Sequence, residues 1–262
     1  MIIKSNRISP KKFYIFLILF TRAIFTLPFI LLQSILYKKK IRNTTLDKPP
    51  IFILGHYRSG TTLLHKLLTT DKKFGYISNY DILFSNSSVL LGKRMAFILQ
   101  KFIQKFNIKN PHFNNSIHYL NDPGEEDMFL ISRGSLFSDY WRFLFPLSWD
   151  KLIKSNLEKD NRAKQWNNNY NNLLKQFTFQ NKGKQLLLKN PPNTGRVIKL
   201  LKMFPNAKFI YIHRNPYRLF YSMRNLWNNV IIKYYTLEKL SKNKIDEIIY
   251  HDYKKLIVQY EN

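Results

Sequence analysis

A short apolar run, a glycine-rich turn and a segment with leucines at helical spacing constrain this chain more than any other feature. The run is Ile51–Leu54, the turn covers residues 55–62 (Gly-His-Tyr-Arg-Ser-Gly-Thr-Thr), and the leucines follow directly. Strand, glycine turn and helix in this order are typical of a phosphate-binding loop, because backbone N–H groups curl around an oxyanion and the helix N-terminus adds partial positive charge. The sequence therefore predicts an α/β protein with a phosphorylated ligand.

The position of the cation in this loop separates two classes of nucleotide-binding protein. A nucleoside-triphosphate loop has Lys directly after its second glycine, but here Thr61 stands there and Arg58 lies inside the turn. A guanidinium can donate two parallel hydrogen bonds to a phosphate or to a group in transfer. The loop therefore argues against a kinase or an ATPase. Mg-dependent ATP turnover by the protein would support that class instead.

Two further apolar runs, Gln185–Lys189 and residues 207–212, also read as buried strands followed by helical segments. Alternating strands and helices predict a parallel sheet, and ligands bind beyond the carboxyl ends of its strands. Three basic side chains follow strands in this way, namely Arg58, Lys189 and Arg214. Their convergence on one edge of the sheet would suit a ligand with two separated phosphates.

These motifs resemble, in order, those of the sulfotransferases that use 3′-phosphoadenosine 5′-phosphosulfate (PAPS) as donor, in the branch with an Arg-Ser-Gly-Thr-Thr loop. The similar segments are residues 57–64, 188–191, 204–209, 214–216 and Ser222. The resemblance covers residues 50 to about 260 and implies a P-loop-like parallel sheet flanked by helices. It also implies transfer of a sulfuryl group from PAPS to a hydroxyl or amine of a lipid, a glycan or a small molecule.

The resemblance implies roles for residues at both ends of the donor. The 5′-phosphosulfate would be held by Arg58, Ser59, Gly60, Thr61 and Thr62, and the 3′-phosphate by Arg214 and Ser222. Sulfuryl transfer needs a base for the acceptor and cations for the sulfuryl oxygens and the leaving phosphate. Arg58 suits the cationic role, and Lys189 could assist it. No metal is required for this chemistry, and the sequence contains no cluster of metal ligands.

The acidic run at residues 122–127 supplies the candidate bases. It resembles an acidic segment of the same sulfotransferase branch, in which Glu125 matches the first Glu and is predicted to be the general base, with Glu126 second. Asp122 followed by Glu125 is also a helix-capping pattern, which stays open as an alternative. His56, inside the loop, could contact the acceptor or the leaving group instead.

The first 49 residues are predicted to form a separate segment before the sulfotransferase domain at residues 50–262. Residues 13–37 are mostly apolar, have lysines on both sides and are long enough to cross a bilayer as a helix. We expect Pro28 to kink this helix or to end its first half. A membrane anchor, either spanning or interfacial, is the first interpretation; a helix packed on the domain and an uncleaved export signal are the others. Membrane association is expected, and the side on which the domain lies is not defined.

Residues 82–180 are predicted to be a mostly helical insert on the acceptor side. Its aromatic side chains suit a lipid, a phenol or a sugar face, although an ordinary helical core would have the same composition. Family members usually continue past the position of residue 260 with a further strand and helices. We therefore expect a truncated or minimal form, for which a non-catalytic or decayed nucleotide-binding P-loop-like protein is the alternative function.

Net charge alone does not decide the function. Lys and Arg number 43 against 16 acidic residues, which gives +27 and attracts polyanions. Lys, Asn and Ile are all abundant, however, and this composition is also expected of an A- and T-rich coding sequence. The sequence has no helix–turn–helix, zinc-finger or RNP signature, so no nucleic-acid partner is predicted. The lack of cysteine excludes disulfides, cysteine–zinc sites and thiol nucleophiles.

Overall fold

The computed structural model describes residues 13–107, 109–110, 116–117, 119–133, 138–149 and 161–261. Lys11, Lys12 and Phe137, which belong to segments discussed above, lie outside them. The chain builds six strands: β1 (Ile51–Leu54), β2 (Phe74–Gly75), β3 (Lys109–Asn110), β4 (Ser116–Ile117), β5 (Gln185–Lys189) and β6 (Lys208–Tyr211). Four of them form a parallel sheet in the order β2-β5-β1-β6, whereas β3 and β4 pair as a separate antiparallel ribbon.

The parallel sheet confirms the predicted α/β architecture. Phe52 of β1 pairs with Leu188 of β5 on one side and with Phe209 of β6 on the other. Phe52 and Leu188 are buried, as a strand covered on both faces requires. Because β1, β5 and β6 run in the same direction, the residues that follow them meet at one edge of the sheet.

Helices cover the sheet and form the insert. They are α1 (Phe13–Arg42), α2 (Thr61–Leu68), α3 (Asn79–Leu83), α4 (Ser88–Lys105), α5 (Glu126–Ser132), α6 (Trp141–Leu144), α7 (Asn161–Gln180), α8 (Val197–Met203), α9 (Pro216–Leu226) and α10 (Lys242–Glu261). A 3₁₀ helix at Pro191–Arg196 links β5 to α8, and a π-helix at Trp227–Tyr235 extends α9. The described part of residues 82–180 is thus largely helical, as predicted.

Several aromatic side chains of the insert form core rather than the wall of an open pocket. Phe129 is fully buried and packs edge-to-face against Phe177 of α7. Trp166 stacks on Tyr170 in the same buried cluster. For these residues the ordinary-core alternative holds.

Helix α1 lies along α4 and α7. The Gln33 side chain accepts a hydrogen bond from the backbone N–H of Leu90, and the ring of Tyr37 meets that of Phe179 edge-on. The helix continues through Pro28, so the expectation that this residue could end it is wrong. Within the described residues, none of the helices combines the length and the hydropathy needed to cross a bilayer. The spanning form of the predicted anchor is therefore not supported.

Candidate functional site

The turn after β1 needs glycine at two positions. Gly55 has φ +140° and Gly60 has φ +105°, backbone conformations that side chains with a Cβ rarely adopt. A Cβ on Gly55 would also lie 2.7 Å from the carbonyl oxygen of Ile212, at the end of β6. The loop is thus folded tightly against the strand that leads to Arg214.

Gly60 is also the N-cap residue of helix α2 and, having no side chain, leaves the N–H groups of the helix N-terminus uncapped. Among the described residues, no side chain caps this end. The first N–H groups of a helix have no partner within the helix, and together with the helix dipole they form a site for an oxyanion. The N–H groups of Thr61 and Thr62 belong to this first turn.

Arg58, Arg214 and Ser222 form one cluster beyond the sheet edge. The Arg58 guanidinium donates a hydrogen bond from Nε to Ser222 Oγ at 3.0 Å, and Arg214 Nη1 donates to the Arg58 carbonyl oxygen at 2.6 Å. Arg58 itself has φ +68°. Its partial burial and, secondly, the nearby Arg214 lower the pKa of its guanidinium below the ordinary value. Two cations held this close favour an anionic ligand between them.

The start of α9 explains how Arg214 and Ser222 come together. Asn215 is the N-cap, and its side chain accepts hydrogen bonds from the N–H groups of Tyr217 and Arg218. Pro216 takes the first helical position, where the missing N–H has no cost. Arg214 therefore lies directly before the helix, and Ser222 lies within it and still reaches Arg58.

A second cluster joins the acidic run to the phosphate loop. Lys189, at the end of β5, donates a hydrogen bond to Thr62 Oγ1 at 3.2 Å and forms a salt bridge with Glu125. The Tyr140 hydroxyl also donates to Glu125. The Lys189 side chain is almost fully buried, and that of Glu125 is 14% exposed. Glu125 is thus a partly accessible carboxylate beside the loop.

The predicted capping pattern does not form at α5. Glu125 itself is the N-cap residue, without a side-chain hydrogen bond to this helix among the described residues. Asp122 lies before the helix and forms a salt bridge with Lys66, 2.7 Å between its carboxylate and the lysine Nζ. The capping alternative therefore does not account for Glu125.

Glu126 has a different environment from its neighbour. Its side chain is completely buried, and within the described part of the chain neither carboxylate oxygen has a hydrogen-bond partner. Burial first, and then the charges of Asp127 and Glu125, raise the pKa of Glu126 to about 8. A carboxyl group enclosed in this way has no route to an acceptor, so the geometry favours Glu125 over Glu126 as the base.

Behind these residues lies a network that our sequence reasoning missed. Arg196 donates to both carboxylate oxygens of Asp127, at 2.9 and 3.1 Å, and to Asp139 at 2.7 Å. Burial alone would lower the pKa of Arg196, but the two carboxylates raise it above its ordinary value. Asn190 adds a hydrogen bond to Asp127 at 2.9 Å. The network fixes the start of α5, and thereby Glu125, to the segment that follows β5.

Thr194 ties the same segment to the phosphate loop. Its hydroxyl accepts a hydrogen bond from the Gly55 N–H at 2.8 Å. For the Arg196 network, the acidic run was only an indirect indication, because acidic residues require a buried cation only if they are themselves buried. The sequence does not show, however, that Arg196 is the partner.

His56 is buried within the loop beside a small cleft. Nδ1 lies 2.9 Å from the Tyr57 carbonyl oxygen, which can only accept, so this nitrogen carries the proton and Nε2 has the lone pair. Burial lowers the pKa of His56, which keeps the ring neutral. The cleft is also lined by Ser59, His213, Arg214 and Tyr253. His56 therefore borders the arginine cluster.

Comparison with known proteins places the sequence in a known protein family. The profile described as "Sulfotransferase family" matches residues 49–261. Two curated relatives, from Mycobacterium bovis and Mycobacterium tuberculosis, share the name Omega-hydroxy-beta-dihydromenaquinone-9 sulfotransferase Stf3. Each is 28% identical over 224 residues, which is 84% of this chain. The chain spans 56% of the length of these relatives.

Two solved structures share the fold. Sulfotransferase STF9 from Mycobacterium avium superposes with a TM-score of 0.66 at 19% identity, over 85% of this chain and 57% of that one. Sulfotransferase STF1 from Mycobacterium tuberculosis H37Rv gives a TM-score of 0.66 at 20% identity, over 88% of this chain and 63% of that one. At such identities the likeness establishes the architecture alone.

Proposed function

The chain belongs to the sulfotransferase family, and from this membership we propose that it transfers a sulfuryl group from PAPS to a hydroxyl group of a lipid. The name of the curated relatives specifies a hydroxylated menaquinone, which supports a hydroxyl-bearing lipid as the acceptor class. The choice of PAPS as donor rests on the phosphate loop and on the arginine cluster. A glycan or small-molecule acceptor, or an amine, would use the same donor site.

The contact of Arg58 with both Ser222 and Arg214 is the observation that carries this proposal. PAPS has a 3′-phosphate and a 5′-phosphosulfate on one ribose, so its two anionic ends require cations close to each other. We assign the 5′-phosphosulfate to Arg58 and to the loop from Ser59 to Thr62. Arg214 and Ser222 would hold the 3′-phosphate. The open N-terminus of α2 adds the N–H donors that such a ligand needs.

The proposed reaction needs one base and two cations. Glu125 accepts the proton of the acceptor hydroxyl while the hydroxyl oxygen bonds to sulfur and the bond from sulfur to the 5′-phosphate oxygen breaks. Lys189 and Arg58 offset the negative charge that develops on the sulfuryl oxygens and on the leaving phosphate. What supports these roles is that Lys189 contacts both Glu125 and Thr62. The Tyr140 hydroxyl orients the Glu125 carboxylate through its hydrogen bond.

Donor binding and transfer can be tested separately. We expect the purified protein to bind 3′,5′-adenosine bisphosphate in calorimetry and to label a hydroxylated menaquinone or another hydroxylated lipid with ³⁵S from PAPS. Arg214→Ala should weaken binding of the bisphosphate by roughly 10- to 100-fold, the effect of losing a charge-assisted hydrogen bond. Arg218→Ala is the matched control, because Arg218 is an exposed arginine of the same helix.

Three outcomes distinguish the possible functions. Bisphosphate binding with transfer supports the proposal. Binding without transfer to any acceptor would instead identify a non-catalytic nucleotide-binding protein. If the bisphosphate does not bind, or if Arg214→Ala and Arg218→Ala weaken binding equally, the assigned donor site is wrong.

A further inference from the structure

The outward face of α1 is apolar, the reverse of what a surface helix normally shows. Gln33 and Tyr37 point toward the domain, where they contact Leu90 and Phe179. The opposite side exposes about half or more of each large side chain, and 79% in the case of Ile35. These exposed side chains are Ile24, Leu27, Leu31, Leu32, Ile35 and Leu36. A helix that only covered a core would have polar residues there.

Helix α4, which contacts α1, also exposes large apolar side chains. It exposes Phe97, Ile98 and Phe102, and Phe106 at its C-terminal end is also exposed, each by more than half. The ammonium groups of Lys101 and Lys105 lie 4.6 and 5.9 Å from the ring centres of Phe97 and Phe106. We call these four residues, with the six exposed apolar residues of α1, the apolar face. Exposed apolar side chains grouped in this way mark interaction sites.

The charged residues of the two helices that carry the apolar face all have one sign. Helix α1 contains five basic residues and α4 contains four, and neither sequence contains an acidic residue. Lys38, Lys39 and Lys40 are exposed at the C-terminal end of α1. Leu, Ile and Phe side chains flanked by lysines are the composition of helices that lie in a membrane interface, where lysines bind anionic headgroups.

We propose that the apolar face docks this protein onto an anionic lipid bilayer, with α1 and α4 lying in the interface. Complementary charge selects this partner. A second copy of the chain would bring nine cations against nine with no acid of these helices between them. A nucleic acid would match the lysines but would leave the Leu, Ile and Phe side chains against a polar surface. The proposal goes beyond sulfuryl transfer and does not depend on it.

Vesicle flotation of the full chain tests the docking. We expect the protein to float with phosphatidylcholine vesicles that contain phosphatidylglycerol, and much less with phosphatidylcholine alone. Leu31→Gln, Ile35→Gln and Phe102→Gln combined should lower the vesicle affinity by roughly tenfold or more, since each removes apolar area from the bilayer. The matched control combines Ile198→Gln with Leu201→Gln, two exposed apolar positions of α8.

The charge contribution is tested with a second pair of variants. Lys38→Gln, Lys39→Gln and Lys40→Gln combined should also lower affinity for anionic vesicles by roughly tenfold or more, at about 1 kcal/mol per lysine near the surface. Their control combines Lys202→Gln, Lys254→Gln and Lys255→Gln, which are exposed lysines of α8 and α10. Added salt should reproduce the effect of the first lysine variant and leave the effect of the apolar variant largely intact.

Three results would overturn the docking proposal. The first is that the wild-type protein does not float with the vesicles, and the second is that the face variants float as well as their controls. The third is that light scattering without vesicles shows a dimer for the wild-type protein and a monomer for the apolar variant. The last result would identify the apolar face as a contact between copies. Flotation is read without donor, and bisphosphate affinity is measured in solution, so failure of this proposal and failure of the proposed function remain distinct.

Discussion

Glu125 and Glu126 are adjacent, yet the start of α5 between them gives them opposite environments. As the N-cap residue, Glu125 has an extended backbone and reaches Lys189 and Tyr140. Glu126 is the first helical residue and is enclosed completely. A change of one position along the chain therefore separates a partly accessible carboxylate from one that is sealed in the core.

We expect Glu125→Gln to lower kcat by about 10²- to 10⁴-fold, the usual contribution of a general base. Affinity for 3′,5′-adenosine bisphosphate should stay within roughly threefold of wild type, since binding of the donor is assigned to other groups. Asp122→Asn is the control, because that acid lies outside α5 and pairs with Lys66. Full activity of Glu125→Gln would exclude this base, and His56 would then be the next candidate.

Glu126 should make stability depend on pH in a defined direction. Its pKa is about 8 in the folded protein and near 4.5 once unfolded. Between these values the folded state binds more protons, so the free energy of unfolding falls as pH rises from about 5 to 8. Glu126→Gln should remove this decline and stabilise the protein at pH 9 by on the order of a few kcal/mol.

Denaturant unfolding of wild type and Glu126→Gln at pH 5, 7 and 9 measures the effect. Glu247→Gln is the control, since it makes the same substitution at an exposed carboxylate of α10. If Glu126→Gln destabilises the protein equally at all three pH values, the carboxylate has a partner in the folded state and its assignment as a proton-binding group is wrong.

Among the strands and helices, those with a local signal could be predicted from sequence. β1 and β5 occupy the predicted residues, and β6 is one residue shorter at each end than the predicted run at 207–212. Apolar runs between glycine or proline boundaries define such strands without tertiary information. The positions of Arg58 and Arg214 after parallel strands likewise predicted that these two residues would meet. Lys189 lies instead with Thr62 and Glu125.

Contacts between elements that are distant in the chain could not be predicted from local sequence patterns. The pairing of Arg196 with Asp127 and Asp139 joins residues 69 and 57 positions apart. The bond between Thr194 and Gly55 spans 139 positions. Several arginines and acids of this chain could have paired in sequence terms, and only the packed fold selects among them. For the same reason, the burial of Glu126 was not predicted.

The two glycines of the phosphate loop should respond differently to substitution. Gly60→Ala forces a Cβ into a left-handed conformation but into open space, so we expect a loss of about 1–2 kcal/mol in the free energy of unfolding. Gly55→Ala adds a clash with the Ile212 carbonyl oxygen, and we expect about 2–4 kcal/mol. Bisphosphate affinity should fall further in Gly55→Ala.

Gly183→Ala serves as the control for these two variants. Gly183 also has a positive φ and open space around its Cβ position, but it lies in a turn before β5, at the opposite end of that strand from Lys189. It should match Gly60→Ala in stability and wild type in bisphosphate affinity. Equal stability of Gly55→Ala and Gly60→Ala, measured by chemical denaturation, would show that β6 and the loop are not packed tightly.

For the molecule as a whole, added salt should raise the stability of the unliganded protein but weaken the binding of an anionic ligand. A net charge of +27 repels itself in the compact state. Its ion pairs offset only part of this repulsion; Arg224, for example, holds Asp246 of α10 at 3.0 Å. Screening should therefore stabilise the unliganded protein as salt rises from low to physiological concentration.

Bisphosphate binding should raise the free energy of unfolding, and added salt should reduce this increase. At a ligand concentration 100 times Kd, the free energy of unfolding should rise by about 2.7 kcal/mol, because only the folded state brings Arg58 and Arg214 together. Higher salt weakens binding of the anion, so at fixed ligand concentration this increment should shrink while the unliganded protein becomes more stable. Thermal unfolding with and without bisphosphate, at several salt concentrations, separates the two effects. Arg214→Ala should lose the increment and keep the salt response; an increment that persists in this variant would place the ligand elsewhere on the surface.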